Sequence, residues 1–377
     1  MSFEKQSRNI LEKAGIEING SKPWDIQVNN KRIYQKVFSK GSLGLGESYM
    51  DGDWDCKSVD QFFYKILSTN LDKHFEYSIP SLINIAKAKI MNLQKPTRAT
   101  QIGKHHYDIG NDLYQAMLDQ RMTYTCAYWD WGANNLDIAQ EDKLELTCLK
   151  INLNERKGDR VLDIGGGWGS FARFASENHG AIVKAITVSE EQVTLGKKLT
   201  KEYPDIEIAF QDYRDLDNND KFDHIVSLGM FEHVGVKNYK TYFKKVSDLL
   251  NEDGLFLLHT IGSNESHSTI DPWISKYIFP NSMLPSQKQI AEASEGIFIE
   301  EDSHNLSTNY DKTLMAWHEN ISNSWDKLKS SEYDNRFKRM WEYYILSCAG
   351  TFRARKMQIW QKVFSKEGVQ GGYQSIR

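Results

Sequence analysis

The residues at 161–169, Val-Leu-Asp-Ile-Gly-Gly-Gly-Trp-Gly, have the types and spacing that best support chemistry in this chain. They predict an apolar strand with an acid near its end. A glycine-rich turn follows the strand and leads into a helix. Glycine allows backbone to turn tightly beside a ligand, and the helix start presents free N–H groups there. The glycines alternate, unlike the pyrophosphate pattern G-x-G-x-x-G, so S-adenosylmethionine (SAM) is the leading candidate and a plain strand–helix turn the alternative. The candidate cofactor-binding residues are Asp163, Gly165, Gly167, Trp168 and Gly169.

Polar residues follow the next two predicted strands, where an open α/β sheet binds its ligands. Thr187, Ser189 and Gln192 can hold the ribose hydroxyls of a nucleoside. Ser189 and Gln192 also have the spacing of a helix capping box, and the two interpretations are compatible. Asp212, followed by Tyr213, can accept a hydrogen bond from an adenine amino group, although an Asp in a turn is common without any ligand.

The elements that must position these residues alternate between strand and helix from about residue 141. Five strands are predicted at 160–164, 181–187, 206–210, 222–228 and 254–260, with two more at 298–301 and 359–364. Continuous apolar strands are typical of a parallel sheet that is covered on both faces. The sequence therefore predicts an α/β catalytic domain over residues 96–377.

Residues 1–95 predict a smaller α+β domain. Its predicted elements are a helix at 7–14, strands at 26–28 and 33–34, a loop at 41–46, a helix from Val59, and an amphipathic helix at 81–93 that precedes a linker at 95–98. Lysines flank the apolar residues of the 81–93 helix, which is typical of helices that bind anionic lipid surfaces. Packing of the same helix against the catalytic domain is the alternative.

Composition excludes several classes of function. A length of 377 residues favours about two domains, and a formal net charge of −4 argues against a nucleic-acid binder. No apolar run is long enough to span a bilayer, and the N-terminal residues lack the apolar core of a signal peptide. The four cysteines, Cys56, Cys126, Cys148 and Cys348, are too scattered to predict disulfides or a metal site, so a reducing cytoplasm is expected.

Further motifs follow one another along nearly the whole chain. They lie at 43–52, 102–112, 124–129, 161–169, 230–235, 277–280 and 348–355. With these motifs in this order, the chain resembles the bacterial cyclopropane-fatty-acyl-phospholipid synthases and the related mycolic acid cyclopropane synthases. The resemblance implies a Rossmann-like class I SAM-dependent methyltransferase fold, with a seven-stranded, mostly parallel sheet.

The resemblance also implies where the cofactor lies. SAM would contact the glycine turn, the Tyr124-Thr125 segment and the polar residues at 187–192 and 212–213. The family more often has Ser at the position of Thr125 and Cys at that of Gly166. Thr keeps the hydroxyl, and the missing side chain at Gly166 is expected to matter little.

The implied reaction adds a methylene group across a cis double bond of an acyl chain. Methylation of the alkene leaves a carbocation, which must lose a proton to close the ring. The resemblance implies that a bound bicarbonate is the base. It also implies that the ligands of this bicarbonate are Cys126, Glu232, His259, Ile261 and Tyr310. Cys348 is a catalytic candidate in this family, but its apolar helical neighbours favour a role in lining the acyl channel or in packing.

The expected partners are an unsaturated phospholipid substrate, the bilayer surface and a second copy of the chain in a homodimer. The expected location is the cytoplasm, peripherally at the inner membrane. Three alternatives stay open, namely a SAM-dependent methyltransferase of an amine, a lipid methyltransferase with a branched or methylene product, and a lipid carrier or sensor. The full set of polar site residues argues against the carrier.

Overall fold

The computed structural model describes residues 2–70, 110–153, 157–328 and 333–377. The predicted helix at 81–93, the linker at 95–98 and the domain boundary at residue 95 lie outside them and stay predictions. The chain forms two compact units. The first comprises the described parts of 1–91, 268–281 and 310–357, and the second those of 92–267, 282–309 and 358–377.

Nine strands are described. They are β1 (Gln27–Val28), β2 (Trp54–Asp55), β3 (Arg160–Ile164), β4 (Ile182–Thr187), β5 (Ile206–Phe210), β6 (Phe222–Leu228), β7 (Leu250–Ser263), β8 (Ile299–Asn305) and β9 (Met357–Ser365).

The α-helices among the described residues are numbered here in chain order. They are α1 (Phe3–Lys13), α2 (Arg32–Lys40), α3 (Ser42–Met50), α4 (Val59–Ser68), α5 (Asn111–Met117), α6 (Leu136–Lys150), α7 (Ser170–His179), α8 (Glu190–Leu199), α9 (Tyr239–Leu249), α10 (Pro272–Tyr277), α11 (Gln287–Ser294), α12 (Ser307–Ser322) and α13 (Asn335–Arg353).

The sheet of the second unit has seven strands in the order β5-β4-β3-β6-β7-β9-β8. Strands β3 to β7 pair in parallel, and β8 pairs antiparallel with β9. The prediction of a seven-stranded, mostly parallel sheet is therefore confirmed. The register sets Ile164 beside Ile186 and Leu228 beside His259, so the residues after β3, β4 and β6 and the end of β7 share one edge.

Two buried clusters cover the two faces of this sheet. Leu257 belongs to the cluster formed with α6, α7 and α8, whereas Phe256 and Leu258 belong to the cluster formed with α9 and α11. Successive side chains of a strand point to opposite faces, so the two clusters lie on either side of the sheet. The sheet is covered on both faces, which is why its strands read as continuous apolar runs.

The first unit is built on aromatic packing. Trp54 has no exposed surface and contacts the rings of Tyr49, Phe62 and Tyr343 at 5.1, 5.3 and 6.5 Å between centroids. Arg339 donates hydrogen bonds to the carbonyls of Tyr49 and Trp54. These contacts tie α13 to the N-terminal elements of the same unit.

Two N-terminal predictions are wrong. Residues 33–34, predicted as a strand, lie in α2, where their side chains are buried. Residues 41–46, predicted as a loop, lie mostly in α3. A Cβ on Gly44 would lie 2.1 Å from the Lys36 carbonyl oxygen, so glycine is required here for the close packing of α3 on α2.

Among the described helices, none combines the length and the apolar character needed to cross a bilayer.

Candidate functional site

The turn after β3 adopts a conformation that only glycine holds without strain. Gly165, Gly167 and Gly169 have φ values of 90°, 56° and 78°, in the region that L side chains rarely adopt. The N–H groups of Gly165 and Gly166 donate to the Ile186 carbonyl at 2.9 and 3.0 Å. The turn is therefore anchored to the adjacent strand and its shape is fixed before any ligand binds.

The space beside the turn differs from one glycine to the next. A Cβ on Gly165 would meet the Met230 side chain at 2.6 Å, and one on Gly166 would meet the Cβ of Ala185 at 2.6 Å. A cysteine at position 166 would thus require its neighbours to shift. A Cβ on Gly167 meets only the Gln192 amide nitrogen at 4.0 Å, so the ligand has room at Gly167.

Asp163 supplies a buried acceptor at the base of the turn. Its side chain is buried, and its Oδ1 has no hydrogen-bond partner among the described residues. Burial raises the pKa of this carboxyl to about 7, and attraction by Lys143 opposes that rise. Buried polar atoms are normally hydrogen-bonded, so Oδ1 fits a donor from a ligand such as the amino group of SAM.

The residues after β4 bond to one another. Thr187 donates its hydroxyl to the Gln192 side-chain oxygen at 2.6 Å, and Ser189 accepts from the Gln192 N–H at 3.3 Å as the N-cap of α8. Ser189 is therefore an N-cap as predicted, but the reciprocal bond of a capping box is not formed, because the Ser189 N–H donates to the Thr187 hydroxyl instead. The ribose contacts stay a prediction. Asp212 accepts from the backbone N–H and the guanidinium of Arg214, and burial raises the pKa of Tyr213 to about 12.

The segment at 123–126 is held from below by α6. Gln140 donates its amide to the carbonyls of Thr123 and Thr125 at 3.2 and 2.9 Å. Lys143 donates its ammonium to the Thr125 hydroxyl at 2.8 Å. Sequence reasoning missed both residues, because nothing local in the sequence marks them as buried.

Aromatic contacts fix two further cofactor candidates. The Tyr114 ring lies 5.2 Å from that of Tyr124 and 5.0 Å from that of Trp168. Trp168 also donates its indole N–H to Asn111 at 3.0 Å. The glycine turn and the Tyr124-Thr125 segment are thus joined through α5.

Glu232 and Ile261 meet at the carboxyl edge of the sheet. Glu232 lies in the 3-10 turn Phe231–His233, and its Oε1 accepts the Ile261 N–H at 2.6 Å. Its buried Oε2 has no partner within the described parts of the chain. Burial raises the pKa of Glu232 to about 7, against the effect of the Ile261 hydrogen bond, so both protonation states are accessible near neutral pH.

His259 lies in the buried part of β7. Neither ring nitrogen has a hydrogen-bond partner in the residues described. Burial lowers the pKa of His259 far below its ordinary value, and the positive charges of Lys143 and Lys150 lower it further. The ring is therefore neutral, with one donor and one acceptor available to a bound group.

The remaining candidates are divided between the two units. In the second, Cys126 is buried and its thiol lies 3.2 Å from the Ala127 carbonyl oxygen. In the first, Tyr310 packs on Phe352 at 4.7 Å between ring centroids. Cys348 lies on α13, as predicted, and burial raises the pKa of its thiol to about 12. A thiol that stays protonated is a poor nucleophile, so Cys348 fits packing better than chemistry.

Within the second unit, the structure gathers most of the predicted site along one edge. The turn at 165–169 contacts Met230, Gly229 lies beside Thr125, and the Gly229 N–H donates to the His259 carbonyl at 2.8 Å. This chain of contacts joins the predicted cofactor residues to Glu232 and His259. Such an edge can hold a nucleoside against buried acid and imidazole groups.

Comparisons with known proteins agree with this geometry. The family model described as mycolic acid cyclopropane synthetase matches residues 94–362. The cyclopropane-fatty-acyl-phospholipid synthase of Escherichia coli strain K12 is 50% identical over 371 residues, which cover 98% of this chain and 95% of that protein. The tuberculostearic acid methyltransferase of Mycobacterium tuberculosis is 30% identical over 89% of this chain and 82% of its own length.

A solved structure shares the fold. The mycolic acid cyclopropane synthase complexed with SAH and CTAB superposes with a TM-score of 0.65 at 28% identity, over 71% of this chain and 98% of that one. The predicted class I SAM-dependent methyltransferase fold is thereby confirmed. The matched family model covers more than half of the sequence and includes the glycine turn, Glu232 and His259. The chain belongs to the mycolic acid cyclopropane synthetase family.

Proposed function

We propose that this chain transfers a methylene group from SAM to the cis double bond of unsaturated acyl chains in membrane phospholipids, and so forms cyclopropane fatty acids. The observation that carries the proposal is the 50% identity with the E. coli cyclopropane-fatty-acyl-phospholipid synthase over nearly the whole of both chains. The buried groups at the carboxyl edge of the sheet support it, because they offer binding atoms for which the described residues provide no partner.

The residues at the edge fit SAM. When bound, SAM supplies an activated methyl group that needs no covalent enzyme intermediate. Among the described residues, Asp163 Oδ1 has no partner and can accept from an amino group, and a Cβ on Gly167 would meet only the Gln192 side-chain nitrogen, at 4.0 Å. Thr187, Ser189, Gln192, Asp212 and Tyr213 would contact the nucleoside, and Tyr124, Thr125 and Trp168 would cover the cofactor.

The ring-closing step needs a base in a place that excludes water. We propose that bicarbonate is this base, and three atoms support its fit, namely Oε2 of Glu232 and the two ring nitrogens of His259. The Glu232 carboxylate would accept the hydroxyl of bicarbonate, and the neutral His259 ring would donate to one of its oxygens. The resemblance to the family names Cys126 and Tyr310 as further ligands of bicarbonate. The Ile261 N–H already binds Glu232, so its contribution is to orient that carboxylate.

Charge balance favours the proton transfer. A carbocation develops on the acyl chain after methylation, and a buried anion stabilises it more strongly than water would. Bicarbonate held by Glu232 and His259 would supply the base for the proton that the new methyl group loses as the ring closes. Glu232 holds the base in position and does not take the proton itself, which is consistent with the bond that fixes its Oε1 to the backbone.

The substrate lies in a bilayer, so the protein must reach a lipid surface. We propose peripheral binding at the cytoplasmic face of the inner membrane, for which the lysine-flanked helix predicted at 81–93 is the candidate. A homodimer would present two such attachment points and gain avidity.

The proposal is tested with purified protein, methyl-labelled SAM, bicarbonate and vesicles of unsaturated phospholipid. We expect intact phospholipid to gain the mass of one methylene, with ring protons in its proton NMR spectrum. Vesicles of saturated phospholipid are the control and should gain no label. A methyl branch without ring protons would favour the lipid methyltransferase alternative, which the relationship to the tuberculostearic acid methyltransferase keeps open. No label in either vesicle would overturn the proposal.

A further inference from the structure

One face of α6 carries four polar residues that have no exposed surface. They are Gln140, Lys143, Thr147 and Lys150. Their spacing of three, four and three residues places them in one row along the helix. Burying an ammonium group is costly unless it is paired and hydrogen-bonded, so two buried lysines in this row require a reason beyond packing.

The ammonium groups of the two lysines contact different residues. The Lys150 ammonium lies 3.1 Å from His304 Nδ1 and 3.5 Å from Asp302. The Lys143 ammonium donates to the Thr125 hydroxyl at 2.8 Å. Only Lys143 of the pair is therefore bonded to a predicted cofactor-binding residue.

The segment that Lys143 supports is held at several points. Gln140, one turn earlier on α6, donates to the carbonyls of Thr123 and Thr125. Asp119 accepts the Thr123 N–H at 2.7 Å. With the backbone fixed in this way, the ammonium of Lys143 determines where the Thr125 hydroxyl points.

Lys143 also acts on the base of the glycine turn. Its positive charge opposes the burial that raises the pKa of Asp163. Burial in turn lowers the pKa of Lys143 to about 8, against the attraction of Asp119, Cys126 and Asp163. The other groups facing this pair are His259, whose pKa Lys143 lowers, and Tyr242, whose pKa Asp163 raises.

We propose that Lys143 is a positioning residue for SAM, whose buried ammonium orients the Thr125 hydroxyl and stabilises the negative charge of Asp163, the acceptor for the amino group of SAM. This role rests on the proposed function, because it requires that SAM binds at the glycine turn. This role explains why a lysine is buried in the polar row of α6, which neither packing nor the ring-closing chemistry explains. The proposed role requires no contact of Lys143 with the methyl group or the base.

A specific pH dependence of SAM binding follows. Ionised Asp163 binds the amino group, so affinity falls as the pH drops through the pKa of Asp163, about 7. Replacing Lys143 with Met removes the opposing charge and raises that pKa, so the fall begins at a higher pH. The loss of affinity is therefore largest in acid and vanishes where Asp163 is ionised in both proteins.

The test measures the Kd of SAM by calorimetry in wild type, Lys143→Met and the matched control Lys150→Met. For each unit by which the pKa of Asp163 rises, we expect the ratio of variant to wild-type Kd to be about tenfold larger near pH 6 than near pH 9. Titration of SAM itself cancels in this ratio. Lys150→Met should show no such pH dependence, and Thr125→Val should weaken binding equally at every pH.

The outcomes separate the two proposals. Failure of wild type to bind SAM would overturn the proposed function. Binding by wild type with a pH-independent ratio in Lys143→Met would overturn the role of Lys143 alone, as would a pH-dependent ratio that persists when Asp163→Asn is added. If thermal unfolding shows that Lys143→Met does not fold, Lys143→Gln is measured in its place with the same expectations.

Discussion

At the scale of single residues, Glu232 is the group on which the ring-closing step depends. Glu232→Gln keeps the volume and an acceptor for the Ile261 N–H, but it removes the negative charge that would receive the bicarbonate hydroxyl. We expect SAM affinity to stay within about twofold while kcat falls by at least about a hundredfold, the lower range for loss of acid–base assistance. Steady-state kinetics at saturating SAM and calorimetry measure the two effects. Wild-type turnover in this variant would remove the argument for the bicarbonate site.

The same carboxyl predicts a pH profile. Burial raises the pKa of Glu232 to about 7, and the ionised form is the one that accepts the bicarbonate hydroxyl. Turnover at saturating SAM and bicarbonate should therefore rise with pH and level off above about 7, with a tenfold loss per unit well below that value. Glu232→Gln should lose this dependence. A profile that is the same in both proteins would assign the titration to another group.

Gly167 predicts the position of the cofactor. Its φ of 56° and the open space beside it mean that a leucine side chain would be strained and would fill the turn. Gly167→Leu should abolish SAM binding. Gly296→Leu is the matched control, because Gly296 has a φ of 72° and no atom near its Cβ position, but it follows α11. Retained binding in Gly167→Leu, measured by calorimetry, would place the cofactor elsewhere.

The glycine turn could be predicted from residue types, because its glycines directly follow an apolar strand, whereas Glu232 and His259 were assigned to the site through the resemblance to the family. Gln140 and Lys143 could not be predicted. A lysine on a helix usually faces solvent, and nothing local in the sequence marks Lys143 as buried. Its partner, Thr125, is 18 residues earlier in the chain. Such pairings arise only when α6 packs under the 123–126 segment.

At the scale of elements, the sheet was predictable and the N-terminal helices were not. The predicted strands at 160–164, 206–210 and 222–228 agree with β3, β5 and β6, since buried parallel strands leave uninterrupted apolar runs. The glycines at 41–46 favoured a loop because glycine is a poor helix former. Tertiary packing overrides that preference, since α3 approaches its neighbours too closely for side chains.

Gly46 tests this explanation. A Cβ there would lie 2.4 Å from the Trp273 ring, which is itself fully buried. Gly46→Ala should therefore destabilise the protein by about 1–3 kcal/mol through overpacking, despite the better helix propensity of alanine. Gly196→Ala on α8 is the matched control, because its nearest neighbour is an Ile208 methyl at 3.2 Å that can move. The free energies of unfolding come from urea titration, and equal effects of the two changes would contradict the packing argument.

At the scale of the whole molecule, each unit is assembled from separate stretches of the chain. The first unit takes residues 268–281 and 310–357 in addition to the N-terminal part. Sequence patterns relate residues that are close along the chain, so the prediction assigned these two stretches to the same domain as the sheet, residues 96–377. The ion pair of Arg353 with Asp60 joins residues 293 positions apart, and no local pattern predicts it.

Arg353 predicts how strongly these distant stretches are tied together. Its guanidinium makes two hydrogen bonds to Asp311, both 2.8 Å, and one of 2.6 Å to Asp60, which together raise its pKa. Arg353→Met would leave two largely buried carboxylates without a cation. Breaking a buried pair costs about 3–5 kcal/mol, and partial solvent access reduces the expected loss here to about 2 kcal/mol. Lys31→Met is the control, because the Lys31–Glu4 pair is exposed and such pairs contribute little. The urea midpoint of the first unit should fall in Arg353→Met and stay unchanged in Lys31→Met, whereas equal midpoints would mean that aromatic packing alone holds the unit together.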